Sequence, residues 1–230
     1  MHNAIQMNAT QIKDTPWDAA ALGMFTGEII EYSDSALRTA VARPGHYAVK
    51  IDPLVDSRLL HEYGFYYCDT QIEPWCGVAD IRLSASHPEV TITRGANLSE
   101  LLAICHGSFV HGRFHRDFNL PRASADLRYD NWLRQLYEQQ CVYGLLWNNE
   151  LAGFIAYSGN SLVLHALAET YRGRGLSKRW WSAVCAELFA AGHAEIRSSI
   201  SASNVAVLNL YASLGFRFRK PLDVYHRLVK

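Results

Sequence analysis

The stretch that most limits what this chain can fold into spans residues 161–216. The apolar run Ser161-Leu162-Val163-Leu164-His165-Ala166-Leu167-Ala168 reads as a buried strand; after a break, Leu176, Trp180, Val184 and Leu188 recur every four residues, a helical stripe ended by Gly192. Between the two stands Thr170-Tyr171-Arg172-Gly173-Arg174-Gly175-Leu176-Ser177. Its glycines let the backbone turn with no side chain in the way, so successive N–H groups at the start of the new helix can converge on one point. Such a point holds an anion, most naturally a phosphate or pyrophosphate. A second unit follows directly. Residues 194–201 alternate Ile196, Ser198 and Ile200 as a strand, Ser203 offers an N-cap, and Gly215 ends the helix opened there. Asn204, Leu208 and Tyr211 share one face of that helix, and a last strand starts at Phe216 and continues towards Tyr225.

Upstream, a turn-rich entry at residues 14–18 precedes a strand at 47–51, a helix from about 53 to 63 and a strand from 65 to about 72. This strand, helix, Gly-Phe, strand order echoes residues 195–224: aligning Gly64-Phe65 with Gly215-Phe216 sets Leu60 opposite Tyr211. The first half is then either a decayed copy of the second, without the Arg-Gly-Arg-Gly turn, or a coincidental unit of a common kind. A boundary is expected at residues 84–88, giving an N-terminal α/β domain at 1–88 and a second domain at 89–230. There, Val90–Thr93 reads as a strand, Asn97 or Ser99 caps a helix carrying Leu101 to Phe109, residues 111–121 form a polar and aromatic connection outside the core, and a helix carries Leu127 to Tyr137. Residues 142–147 and 151–157 form a hairpin across Asn148-Asn149-Glu150. Alternating strands and helices predict an α/β protein with a mixed sheet.

Zero formal net charge and a pI near 7.1 give no polyanion-binding face, so nucleic acid is not an expected partner. No apolar run approaches the roughly 20 residues of a membrane span, and residues 1–6 lack a signal-peptide start, which predicts a cytoplasmic protein. The five cysteines are scattered without a Cys-x-x-Cys pair and read as buried free thiols. His111 and His115 are four apart, yet no third ligand is near in sequence, so no metal is expected.

The strand with its Tyr-Arg-Gly-Arg-Gly-Leu turn, followed by Ser203-Asn204-Val205-Ala206-Val207-Leu208-Asn209-Leu210-Tyr211-Ala212-Ser213-Leu214-Gly215-Phe216, resembles the coenzyme A loop and last helix of the GCN5-related N-acetyltransferases (GNATs), over about residues 92–230. Thr15-Pro16-Trp17-Asp18 with Leu22-Gly23, Ser108-Phe109 with Gly112-Arg113-Phe114 and Asp117, and Tyr129 with Trp132-Leu133 further resemble the TDP-fucosamine acetyltransferases and related sugar-nucleotide N-acyltransferases. The resemblance implies a GNAT fold with a mixed central sheet behind a smaller α/β N-terminal domain, acetyl-CoA or another short acyl-CoA as co-substrate, and a dTDP-linked amino sugar as acceptor, as in O-antigen or lipopolysaccharide synthesis. Relatives of this kind are often homodimers.

An acyl transfer from a thioester to an amine needs an anchored coenzyme, a polarised carbonyl, an uncharged amine and a proton for the leaving thiolate. The resemblance puts the coenzyme on the backbone of Arg172, Gly173, Arg174, Gly175, Leu176 and Ser177, with carbonyl polarisation at the strand end, Leu167 and Ala168. Thr170 departs from the Gln or Arg common there, which weakens one expected phosphate contact without removing the turn. Tyr211 takes the position of the family's general acid and Asn204 that of a pantetheine or water contact, while His165, in the strand beside the thioester, is a candidate base. Each residue also has a plain structural role open to it: Tyr211 as core aromatic, Asn204 as helix cap, His165 as a satisfied strand histidine. Arg113, Phe114 and His115, with Trp17 and Tyr129, supply the cations and aromatic faces that a thymidine diphosphate needs. A different small amine as acceptor, or acyl-CoA binding without turnover, remains open at this stage.

Overall fold

The computed structural model describes residues 11–230, so the expectation about residues 1–6 lies outside the described residues. The elements of the first half are β1 (Ile12–Asp14), α1 (Pro16–Leu22), β2 (Thr26–Ile29), α2 (Asp34–Val41), β3 (Gly45–Ile51), α3 (Arg58–Glu62) and β4 (Tyr66–Gly77). Those of the second are β5 (Val90–Thr93), α4 (Leu98–Cys105), α5 (Arg122–Glu138), β6 (Val142–Trp147), β7 (Glu150–Ser158), β8 (Ser161–Leu167), a single 3-10 turn (Glu169–Tyr171), α6 (Ser177–Ala190), β9 (Glu195–Ser198), β10 (Ile200–Ser201), α7 (Val205–Ser213) and β11 (Arg217–Val229). All strands join one mixed sheet in the order β1-β2-β3-β11-β4-β9-β8-β7-β6-β5, with β10 beside β4. The α/β mixed-sheet expectation is met.

The strand order has a pattern. β2 and β3 are parallel and joined across α2, and β8 and β9 are parallel and joined across α6. β3 then pairs not with the next strand of its own half but with β11, whereas β9 pairs with β4. β4 and β11 pair with each other, antiparallel, at the centre. Each half therefore lends its last strand to the other. The approach to those strands is also alike. Gly64 and Gly215 both take positive φ, 71° and 91°. The N–H groups of Phe65 and Phe216 then reach back to the carbonyls of Leu60 and Tyr211, at 2.8 and 3.1 Å.

Several local expectations are corrected. The helix expected from 53 begins only at Arg58, because Asp52 Oδ1 accepts from the Leu54 N–H at 2.9 Å and holds a turn there. α4 stops at Cys105 rather than reaching Phe109, since Gly107 at φ 74° turns the chain out of the helix. Asn204, not Ser203, caps α7: its Oδ1 accepts from Val207 N at 3.3 Å, while the Ser203 hydroxyl turns to Ser201 at 2.8 Å. The entry at residues 14–18 is largely helical, with Pro16 opening α1. At the hairpin, Asn148 and Asn149 both take positive φ, 49° and 66°, as a tight two-residue turn requires. The stripe Trp180, Val184 and Leu188 is buried against Leu162, Ile196 and Tyr211.

The largest correction concerns residues 111–121, which enter the core, with Phe114, Asp117 and Leu120 all buried. Asp117 explains why a polar connection can do so. Its Oδ2 accepts from His46 Nε2 at 2.9 Å, His226 Nδ1 at 2.9 Å and the Tyr66 hydroxyl at 3.1 Å, and its Oδ1 from Asn119 N at 3.0 Å. The carboxylate thus clasps the connection to β3, β4 and β11 with every donor satisfied. Burial alone would raise its pKa, but the hydrogen bonds from His226 and His46 outweigh burial and hold it well below the carboxylate range. Burial brings His226 down from 6.5 to about 4. An unfolded histidine therefore takes up its proton before the folded one does, and stability present above pH 6.5 is lost as the pH falls towards 4. We expect a loss of about 3 kcal/mol from this group over that window. Urea midpoints at pH 7.5 and 4.5 measure it, and equal midpoints would contradict it.

Candidate active site

The glycine turn has the form its sequence predicts. Gly173 and Gly175 take φ 72° and 73°, a region costly for any residue with a Cβ, and the space beside each is open. Among the described residues, the backbone N–H groups of residues 173–178 donate to no other group, so a row of free donors stands at the N-terminus of α6. The arginines differ from expectation in their aim. Arg172 folds back, donating from Nε to the Leu167 carbonyl at 2.9 Å and from Nη2 to Ser108 Oγ at 3.0 Å. Arg174 lies over the Tyr171 ring, 5.3 Å from its centre. The free amides therefore carry most of the anion-binding capacity, and Arg172 braces the turn against the strand.

β8 separates from β9 after a short contact. The two pair only at Ser161 with Arg197 and Leu162 with Ser198, so from Val163 to Leu167 the β9-facing edge of β8 has no strand partner among the described residues. The gap opens a cleft of about 220 Å³, whose walls include His165 and Val163 of β8, Ser199 and Ile200 beyond β9, and Asn204 and Val207 of α7. The backbone N–H groups along that edge and the row of free amides that follows it in the chain together offer donors to an extended anionic ligand.

Tyr211 is fully buried, packed edge-on to Phe216 with ring centres 4.8 Å apart. Its hydroxyl lies 3.2 Å from His165 Nε2, so the two residues that sequence reading weighed separately form one pair behind the cleft wall. Burial lowers the pKa of His165 to about 4, which leaves the imidazole neutral and able to accept from the phenol. Burial raises the pKa of Tyr211, so the phenol keeps its proton across the physiological range.

On the acceptor side, the expected residues separate into three groups. Arg113 and Tyr129 line the cleft, and Arg113 also lines a second cavity of about 640 Å³ that holds Trp17, Glu28, Trp132 and Gln135. Trp17, 48% exposed, is available as a wall there. Phe114 is 3% exposed and supports from below: the Arg113 and Arg128 guanidiniums lie over its ring at 4.8 and 4.9 Å. As a direct contact for a base it is corrected to a support. His115 is taken by Asp126, Nε2 to Oδ1 at 2.7 Å, and is likewise a structural residue. Arg113, by contrast, has a buried Nε without a partner and makes no ion pair among the described residues. Burial, reinforced by the charge of Arg128, lowers its pKa, the condition an incoming anion would relieve.

Sequence reading missed Asp69, Arg128 and Trp132 on the cleft wall. Arg128 donates from Nε to Asp18 at 2.9 Å and covers Trp132 at 4.7 Å. The four-residue spacing of Arg128 and Trp132 on α5 was a usable signal; Asp69 had none, because only the strand exchange brings β4 here. Among the described residues, His46, Asp117 and His226 form the one group of three side chains with metal-capable atoms within 4.8 Å of one another. Their mutual hydrogen bonds already satisfy the carboxylate. No helix of the described residues is long and apolar enough to cross a membrane.

Residues 109–216 match the model of the acetyltransferase (GNAT) family. No curated protein matches the chain. Among solved structures, a GCN5-related N-acetyltransferase from Sphaerobacter thermophilus is similar at 10% identity and TM-score 0.64, over 94% of this chain and 75% of that one. A functionally unknown conserved protein from Staphylococcus epidermidis ATCC 12228 is similar at 10% identity and TM-score 0.64, over 98% of this chain and 94% of that one. A tandem GNAT protein from the clavulanic acid biosynthesis pathway is similar at 11% identity and TM-score 0.55, over 88% of this chain and 74% of its own. At these identities the structures share a fold with this chain and no more. The family model thus covers just under half of the chain, and the fold around it is the one that solved GNAT proteins share.

Proposed function

We propose that this protein is an N-acyltransferase that takes an acetyl or other short acyl group from acyl-CoA and places it on the amino group of a dTDP-linked deoxyamino sugar. Acyl-CoA supplies the acyl group and leaves as the thiol. The free amides of residues 173–178 bind its pyrophosphate, and the unpaired edge of β8 near Leu167 donates to the carbonyl oxygen. Tyr211 gives its proton to the departing sulfur, exchanging its bond to His165 for one to the thiolate. Asn204, at the head of α7, lines the path of the pantetheine arm.

The acceptor class rests on Arg113, which lines both cavities and, among the described residues, has a buried Nε without a hydrogen-bond partner and no ion pair. A sugar in the first cavity and a thymine in the second would set a diphosphate beside it, with Trp17 and Trp132 offering ring faces. The first half, which lacks a glycine turn, then acts as scaffold and acceptor wall, in keeping with a tandem origin. The deciding experiment measures thiol release from acetyl-CoA across dTDP- and UDP-linked amino sugars, with free dTDP as competitor. Turnover with a dTDP-linked amino sugar that free dTDP inhibits is the expected result. Turnover with other amines that ignores dTDP would reassign the acceptor, and coenzyme binding without any thiol release would make the domain a non-catalytic binder.

A further inference from the structure

The cleft wall is basic or neutral except at one place. It carries His111, Arg113, Arg128 and His165, and among the described residues that line it Asp69 is the one carboxylate. Asp69 belongs to β4, the strand that the first half lends to the second, and it is 1% exposed. Its Oδ1 is held from two sides, by the Ser201 hydroxyl at 2.6 Å and Arg116 Nη1 at 2.8 Å. Its Oδ2 is buried and has no partner among the described residues. A buried carboxylate oxygen without a donor costs free energy comparable to a lost hydrogen bond, often more because it is charged. An oriented carboxylate with one free oxygen at a ligand cleft is therefore built for a donor that comes with the ligand. The cleft's other groups suit an anion; this one suits a cation.

We propose that Asp69 Oδ2 is the seat of the acceptor's ammonium group, binding it and then taking its proton before acyl transfer. The inference rests on the reading of the cleft as the acceptor site of an N-acyltransferase. An ammonium donates one N–H to Oδ2 and passes that proton to it, leaving a neutral amine. The freed lone pair forms the new N–C bond as the C–S bond breaks, and the Tyr211 phenol protonates the sulfur. The second amine proton goes to the Tyr211 phenolate, directly or through water, and the proton on Asp69 returns to solvent as product leaves. The sum is one ammonium and one thioester in, one amide, one thiol and one proton out. Burial raises the pKa of Asp69 even against its bonds to Ser201 and Arg116, which makes it a better proton acceptor than an ordinary aspartate. The first half thereby supplies chemistry as well as scaffold.

A specificity ratio tests this. The probes are a dTDP-linked amino-deoxyhexose and the dTDP hexose with a hydroxyl at the same carbon, titrated calorimetrically into the full chain with coenzyme A present. The wild type should bind the amine form at least about tenfold tighter, as expected for one charge-assisted hydrogen bond. Asp69→Asn, which keeps an acceptor for Ser201 and Arg116, should bring the ratio to near one while leaving affinities for coenzyme A and free dTDP unchanged. A purely structural Asp69 would not move that ratio. Equal binding of both probes by the wild type, or a preserved preference in Asp69→Asn, overturns the inference alone. Failure of the wild type to bind dTDP overturns the acceptor reading and this inference with it. Should the variant not bind coenzyme A, and so not be folded, the wild-type ratio decides.

Discussion

Tyr211→Phe is expected to lower kcat roughly 10- to 1000-fold, the range of general-acid effects, with the Kd for coenzyme A unchanged. The hydroxyl is buried with the rest of the ring and pairs with the His165 imidazole, so its removal deletes one atom and that hydrogen bond from a packed site. The cost to the fold should be about 1 kcal/mol, too little to unfold the domain. The cost to catalysis is larger because a thiolate with no proton donor is a poor leaving group. A raised phenol pKa makes proton transfer uphill towards a free thiol in water, near 8–9. A thiolate expelled beside Tyr211 shares the same burial and rises with it, so the gap narrows at the moment of transfer. Single-turnover thiol release at saturating coenzyme measures the effect. Wild-type turnover in the phenylalanine variant would remove Tyr211 from the chemistry and leave His165 as the nearest alternative.

Arg113→Met should raise the Ki of free dTDP, and the KM of a dTDP-linked acceptor, about a hundredfold, some 2.7 kcal/mol. Methionine keeps an apolar stem against Phe114 and removes only the guanidinium, so the loss reports charge rather than packing. Among the described residues Arg113 has a buried Nε with no hydrogen-bond partner and makes no ion pair, with Asp18 and Glu28 acting on it only at a distance, whereas Arg128 beside it is paired with Asp18. An anionic ligand would supply the partner that the wild type lacks. Removing it should leave thermal stability unchanged or slightly higher, since the lone charge and its repulsion by Arg128 go together. Equal dTDP inhibition of both proteins would place the diphosphate elsewhere.

What could be read from the chain in advance followed local rules. The strand, glycine turn and α6 are encoded within residues 161–190 by period and by two glycines, and the structure reproduces them. The hairpin across Asn148 and Asn149, and the Gly-Phe ends of α3 and α7, are local in the same way. Long-range pairing left no such mark. β11 reads as a strand, but nothing in its sequence says that its neighbours are β3 and β4. The polar look of residues 111–121 hid a buried connection because the partners of Asp117, His46 and His226, are 71 and 109 residues away. Asp69 was passed over for the same reason, and Tyr211 and His165 were weighed singly because 46 residues separate them.

The traded strands also bear on how the chain comes to be folded. The residues that flank β3 on its inner side are Asp223–Val229 of β11, which lie far along the chain from Gly45–Ile51. Before that pairing forms, the N-terminal parallel pair has one bare edge, and the acidic wall of the cleft has no lasting place. Assembly around residues 45–51 therefore closes a very long loop, a slow step by topology. The waiting edge is the point at which an incompletely folded copy is most open to pairing with the wrong strand.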